Sequence, residues 1–303
     1  DMDFIKLVNE ELNKEEIVWE VKGLIDSNKR IYTLGSDSKL IGRIFELIIS
    51  GVLEDVAKKT GYKLVPSISQ TVYPDFNLVS QENDEKIAID IKTTYRRKNK
   101  KGELTNIGFT LGSYGSFLRN NTKNIQYPYN EYSKHYVIGF IYDRVENFTE
   151  GIRVESKNYD TIRGPYNNVE LFIQEKYRIA GDKPGSGNTE NIGSFKTNNV
   201  NLIKAGLGPF SFLGNEVFEQ YWRGYPKYRE VNKKYTNLEE YFDWLDRENI
   251  NTKDIRTKYN KWKSYIKSFE NRSIETNVKR QLIGKIAEES TEYKIKRKRK
   301  LKI

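Results

Sequence analysis

A mixed α/β (α+β) domain, with a central mixed β-sheet flanked by helices, is predicted by three features of the 303-residue sequence. Short runs alternating apolar and polar residues sit between longer runs with apolar residues at spacings of three and four, so strands and helices interleave. Hydrophobic residues make up 37%, before 21 glycines are counted, which is a globular balance in a chain long enough for a substantial core. No stretch approaches the roughly 20 apolar residues of a membrane span, and no signal-peptide pattern opens the chain, so neither a membrane partner nor secretion is expected.

Residues 3–16 read as a helix. Ile17 to Ile25 alternates as a strand, Asp26-Ser27-Asn28 form a turn, and Ile31-Tyr32-Thr33 return the chain as a hairpin. Ser36 or Asp37 can cap a long helix from Ser38 to about Thr60, because Leu40, Ile41, Ile44, Phe45, Ile48, Val52 and Val56 recur at helical spacing. Strands follow at Asp75 to Ser80, Glu85 to Thr94, His135 to Tyr142 and Val169 to Phe172, with a further one at Tyr177 to Ala180. Gly181 to Ser194 reads as a long polar loop. Thr236 with Glu239 suggests a capping box for a helix through Tyr241 and Trp244. From Lys258 to Ile286, the spacing of Tyr259, Trp262, Tyr265, Ile266 and Phe269 predicts an amphipathic helix that packs on the body or on a partner.

Charge divides the chain in two. Residues 251–303 hold 17 basic and 6 acidic side chains, a balance of +11, whereas the remainder holds 35 and 36, a balance of −1. The expected domains are therefore a core over 2–250 and a basic, helical or partly disordered extension over 251–303. Its last residues, Lys294 to Lys302, suit a solvated tail or an electrostatic arm for nucleic acid. Zero cysteines exclude disulfides, thiolate metal sites and a Cys nucleophile, and a lone His135 excludes multi-histidine sites. Any metal must be held by oxygens.

The chemistry concentrates in one predicted hairpin. Ala88, Asp90 and Lys92 share a strand face opposite Ile87, Ile89 and Ile91. A turn centred on Gln81 to Asp84 sets Asp75 directly across from Asp90, where like charges repel unless a cation lies between them. Carboxylate oxygens suit Mg²⁺, and the Lys92 ammonium two residues on can stabilise negative charge developing at a phosphate. The plain alternative is a solvated sheet face with scattered charges. Glu46 interrupts an apolar helical run, either as a surface partner of Arg43 or as a third carboxylate of the site.

The Tyr73-Pro74-Asp75-Phe76 … Asp90-Ile91-Lys92 pattern resembles the PD-(D/E)xK nuclease superfamily. Within it the chain looks like the EcoRV-like type II restriction endonucleases, through YTLGSDSK (32–39), IFEL (44–47), YPDFNL (73–78), KIAIDIKTTY (86–95), SFLRNNTKNIQYP (116–128), IAGD and GSGNTENIGS (179–194), and YWRGY (221–225). The likeness runs from about residue 20 to 250 and implies a restriction-endonuclease-like core. By that likeness Asp75 and Asp90 bind metal, Lys92 is the catalytic lysine, and Glu46 is an additional acidic residue that also binds metal. Thr93, Thr94, Ser116 and Lys123 contact the DNA backbone. Gly185-Ser186-Gly187-Asn188-Thr189 resembles a major-groove recognition loop: glycines allow close approach, Asn can pair bidentately with adenine, and Thr can offer a methyl to thymine. Ser69-Gln70-Thr71-Val72 departs from the family's Gln-rich segment, and only Gln70 keeps an amide for DNA.

The resemblance implies Mg²⁺-dependent hydrolysis of double-stranded DNA by in-line attack of an activated water. The implied target is GATATC, cut bluntly at its centre to leave 5′ phosphates. It further implies a homodimer with a dimerisation hairpin at about 17–33, a bacterial cytoplasmic location and a companion DNA methyltransferase. The alternatives are a repair or junction-resolving nuclease of the same fold, a non-catalytic DNA-binding protein, and an RNA-binding protein.

Overall fold

The computed structural model describes residues 2–14, 16–146, 148–185, 190–270 and 292–293. In chain order they form α1 (Phe4–Lys14), β1 (Gly23–Ile25), β2 (Arg30–Thr33), α2 (Ser38–Thr60), β3 (Tyr62–Pro66), β4 (Phe76–Ser80), β5 (Lys86–Arg96), β6 (Thr110–Ser113), β7 (Tyr132–Arg144), β8 (Arg153–Glu155) and β9 (Tyr166–Glu175). Then come α3 (Lys176–Ile179), β10 (Ala180–Pro184), β11 (Asn191–Ser194), α4 (Val200–Lys204), α5 (Phe210–Leu213), α6 (Asn215–Arg223), α7 (Leu238–Arg247), α8 (Lys253–Glu270) and β12 (Glu292–Tyr293).

The central sheet runs β12-β9-β7-β5-β4-β3 and is mixed, because β5 and β7 are parallel while their other neighbours run antiparallel. Strand alternation gives the sheet two buried faces. Ile87, Ile89 and Ile91 of β5 pack with Ile138 and Phe140 of β7 under α1 and α2, where Phe45 stacks on Phe140 at 4.4 Å. Ala88, Val137, Ile141 and Phe172 face the other way, into an aromatic core shared with β6, β11 and α4 to α8. A separate three-stranded sheet, β1-β2-β8, stands apart.

The long helix matches its expected span, and Asp37 is its cap: the carboxylate accepts from the Lys39 and Leu40 amides at 3.0 Å. Four other expectations are corrected. Of Ile17 to Ile25 only the last three residues are strand, paired with β2. Tyr177 to Ala180 is mostly a helical turn, with Ala180 opening β10. The polar stretch after it is a hairpin at its base, β10 pairing with β11, and its glycines are there for contact. A Cβ on Gly193 would lie 2.5 Å from the Lys183 carbonyl oxygen, so only a residue without a side chain fits where the two backbones cross. The cap of α7 is one residue later than expected: Asn237 accepts from the Glu240 amide at 2.9 Å, and Glu240 reaches back to Thr236.

Helix α8 starts before the expected Lys258, and it packs on the body. Tyr259, Trp262, Tyr265 and Phe269 join the aromatic core, and the Trp262 indole donates to the Leu207 carbonyl at 2.9 Å. Residues 271–286 of the expected helix and the basic run from Lys294 lie outside the described residues.

Candidate active site

Register builds the site. Phe76 pairs with Ile89 and Asn77 with Ala88, so Asp75, one step before β4, stands across from Asp90. The alignment is clamped by a bond the residue pattern did not suggest: the Ile91 amide donates to Asp75 Oδ2 at 2.6 Å. Lys92 Nζ lies 2.8 Å from Asp90 Oδ1 and 4.0 Å from Asp75 Oδ2, and donates to the Ile91 carbonyl at 3.2 Å.

Burial and charge set the protonation of this trio. Burial, with Asp90 beside it and against the pull of Lys92, pushes the Asp75 carboxyl up to about 7. Burial alone would lower the Lys92 ammonium, but Asp90 and Asp75 outweigh it and hold the group above its ordinary value. The Asp90 side chain is only 4% exposed, and its Oδ2 has no hydrogen-bond donor. A buried carboxylate oxygen left bare beside a second carboxylate is a costly arrangement that a cation relieves. His135 is not part of the pair: its Nδ1 meets the Tyr73 hydroxyl at 2.8 Å, and burial holds the ring neutral. An oxygen-seeking divalent cation such as Mg²⁺ therefore fits, and Asp75 and Asp90 are the residues that would hold it.

Two clefts meet at the trio. One runs to α2 and is lined by Lys39, Arg43, Glu46, Gln70, Asp75 and Lys92. Glu46 lies on its far wall, ion-paired with Arg43 at 2.7 Å. No group of three acidic or histidine side chains among the described residues is gathered closely enough to hold a metal ion, so the pair stands without Glu46 as a third member. The other cleft, of about 260 Å³, is lined by Gln70, Asp75, Asp90, Lys92, Ser116 and Asn191 among others. Gln70 thus borders both.

The remaining expected residues are distributed around these clefts. Thr93 faces α2, close to Gly42, whereas Thr94 lines a groove with Gly185 and Thr110. Ser116 is buried, and its hydroxyl donates to the Lys123 carbonyl at 2.9 Å, while the Lys123 side chain is exposed. Gly185 closes the β10–β11 hairpin by donating to the Asn191 carbonyl at 2.9 Å. Ser186, Gly187, Asn188 and Thr189 lie outside the described residues. Residue reasoning missed Arg43, Asn191 and Lys176. Arg43 was weighed only as a partner for Glu46, and Asn191 only as part of a polar loop. Nothing in the local pattern singles out Lys176, a lysine between the apolar runs of two elements.

The family model for the restriction endonuclease EcoRV matches residues 15–246. The Type II restriction enzyme EcoRV of Escherichia coli is 42% identical over 239 residues, which cover 78% of this chain and 95% of that protein. A solved structure of NlaIV restriction endonuclease aligns with 90% of this chain and 92% of its own at 11% identity, with a TM-score of 0.35.

Proposed function

Because the chain belongs to the family of the restriction endonuclease EcoRV and is a type II restriction endonuclease, we propose that it cleaves double-stranded DNA at GATATC with Mg²⁺. The cut falls at the centre and leaves blunt ends with 5′ phosphates. Enzymes of this family depend on a metal. The observation that carries the reading is the Asp75–Asp90–Lys92 trio, with an Asp90 oxygen bare and buried beside a second carboxylate.

Asp75 and Asp90 would hold a divalent ion there, which would supply Lewis-acid charge and activate water for the attack. The chain's own residues do the rest. Lys92 holds its ammonium against the negative charge that develops on the phosphate. Asp75 is kept in place by the Ile91 amide and Asp90 by Lys92, so the carboxylates need no rearrangement when the phosphodiester arrives. Gln70, Thr93, Thr94, Ser116 and Lys123 position the backbone, and the 185–189 loop reads base edges in the major groove. The metal-binding roles of Asp75 and Asp90 follow the family likeness; Glu46, which the likeness also names, faces them across the cleft in an ion pair with Arg43. Deformation at the central TA step adds selectivity.

A palindromic target calls for two copies related by a two-fold axis, one active site per strand. The β1-β2-β8 sheet supports that pairing, because Leu24 and Ile25 are 56% and 64% exposed there, near exposed Tyr32 and Ile152. A nuclease of this specificity works in the cytoplasm beside a methyltransferase that protects the host's own sites. No helix among the described residues is long and apolar enough to cross a membrane.

Digestion of a plasmid with a single GATATC site in Mg²⁺, with the ends sequenced, tests the reading. One blunt cut at that site is expected. Cuts at another sequence would overturn the assignment to the 185–189 loop, and no cleavage with any divalent ion would overturn the reaction.

A further inference from the structure

Beneath the cleft floor lies a charge that the reaction as described does not use. Lys176, the first residue of α3, is 2% exposed, and its ammonium has no hydrogen-bond partner. It sits 3.7 Å from the centre of the Tyr73 ring and 5.2 Å from that of Phe117. Both rings line the cleft that holds Asp75, Asp90 and Lys92. Gly112 roofs the site: a Cβ there would lie 3.9 Å from Lys176 Nζ and 2.7 Å from the Phe117 ring, and its φ of +95° suits only glycine. A bare backbone therefore separates the ammonium from the open cleft.

Such a placement weakens the fold. A desolvated ammonium without hydrogen bonds is costly, and stacking on an aromatic face offsets only part of that cost. Burial, together with repulsion from Lys92, lowers the Lys176 pKa to about 7 against the attraction of Asp90 and Asp75. Methionine would fill the same space without charge. Interactions that destabilise a fold yet lie against a reaction centre are candidates for function.

The placement shows what the function is. With no divalent ion bound, the acidic pair of the trio disfavours an incoming phosphodiester. Lys176 adds positive potential directly beneath the rings that line the same cleft. We propose that Lys176 is a positioning residue of the reaction centre: from beneath the floor, on the Tyr73 ring, its ammonium joins Lys92 in balancing Asp75 and Asp90 and draws the anionic phosphodiester down onto them. The inference rests on the nuclease reading.

The test compares wild type with Lys176→Met and Lys176→Arg by melting without divalent ions, by duplex affinity without divalent ions, and by single-turnover cleavage at saturating DNA. Lys176→Met is expected to melt about 3 °C higher or more, to bind duplex severalfold more weakly, and to cleave about tenfold more slowly. Lys176→Arg, which keeps the charge, is expected to restore most of the rate and to surrender the gain in melting temperature. A Met variant that cleaves like wild type overturns the proposal. So does one that melts lower or fails to fold, because Lys176 would then be a structural residue. If wild type itself cuts no DNA, the nuclease reading fails, while the melting and affinity comparisons still judge Lys176.

Discussion

Asp75 holds opposing demands on one side chain. Its oxygen is clamped by the Ile91 amide, and its carboxyl is pushed up to about 7 by burial and by Asp90. In an unfolded chain the same group titrates near 3.9. Between those values the folded state keeps a proton that the unfolded state releases, so this residue makes stability fall as pH rises from about 4 to 7, and level off above. Asp75→Asn is expected to remove that slope and to raise the stability of the metal-free protein at pH 8, as urea denaturation across pH 4 to 8 would show. At this scale the sequence was informative where chemistry follows register. The alternation of β5 and a short turn suffice to set Asp75 across from Asp90, and the structure keeps that pairing. Lys176 was illegible, because a lysine between two apolar runs looks like surface until the fold closes Tyr73, Phe117 and Gly112 around it.

Among the elements, α2 was legible nearly to the residue: its apolar stripe has a 3.6-residue period, and Asp37 offers a capping carboxylate at its start. The β10–β11 hairpin was not. Gly181 and Gly193 look like loop residues by composition, yet they serve close backbone contact, a long-range requirement that no local pattern announces. The same steric reason makes a prediction. Gly193→Ala must push the Lys183 carbonyl away and disturb the β10–β11 hairpin. Cleavage of the preferred site is expected to drop about tenfold or more, with non-specific duplex binding at low salt unchanged; a filter-binding and cleavage comparison checks it. The misplaced α7 cap has a milder cause. Thr236 and Asn237 are both good caps, and the choice between them falls to the Asn237 side chain on the Glu240 amide.

Across the whole molecule, the sheet divides the labour. One buried face carries the helical support of α1 and α2, and the other carries the aromatic core behind the β10–β11 hairpin. The mixed architecture could be foreseen from interleaved periodicities, whereas the strand order, with β5 parallel to β7, could not, since it depends on contacts between distant segments. Helix α8 lies beyond residues 15–246 of the family match, yet its aromatic face belongs to the same core. At this scale the proposed pairing of two copies makes a prediction. Leu24→Asp places a charge beside its exposed cross-strand partner Tyr32 on the β1-β2-β8 sheet, and analytical ultracentrifugation is expected to show a shift toward monomer with an unchanged melting profile at high protein dilution.

In the proposed reaction the paired carboxylates serve the chemistry, and other residues hold the DNA. Asp90→Asn keeps the shape of the side chain and removes its charge. With duplex affinity measured in Ca²⁺ and single-turnover cleavage in Mg²⁺, the variant is expected to bind within a few-fold of wild type and to cleave at least about a thousandfold more slowly. Cleavage near the wild-type rate would contradict the assignment of the reaction to Asp75, Asp90 and Lys92.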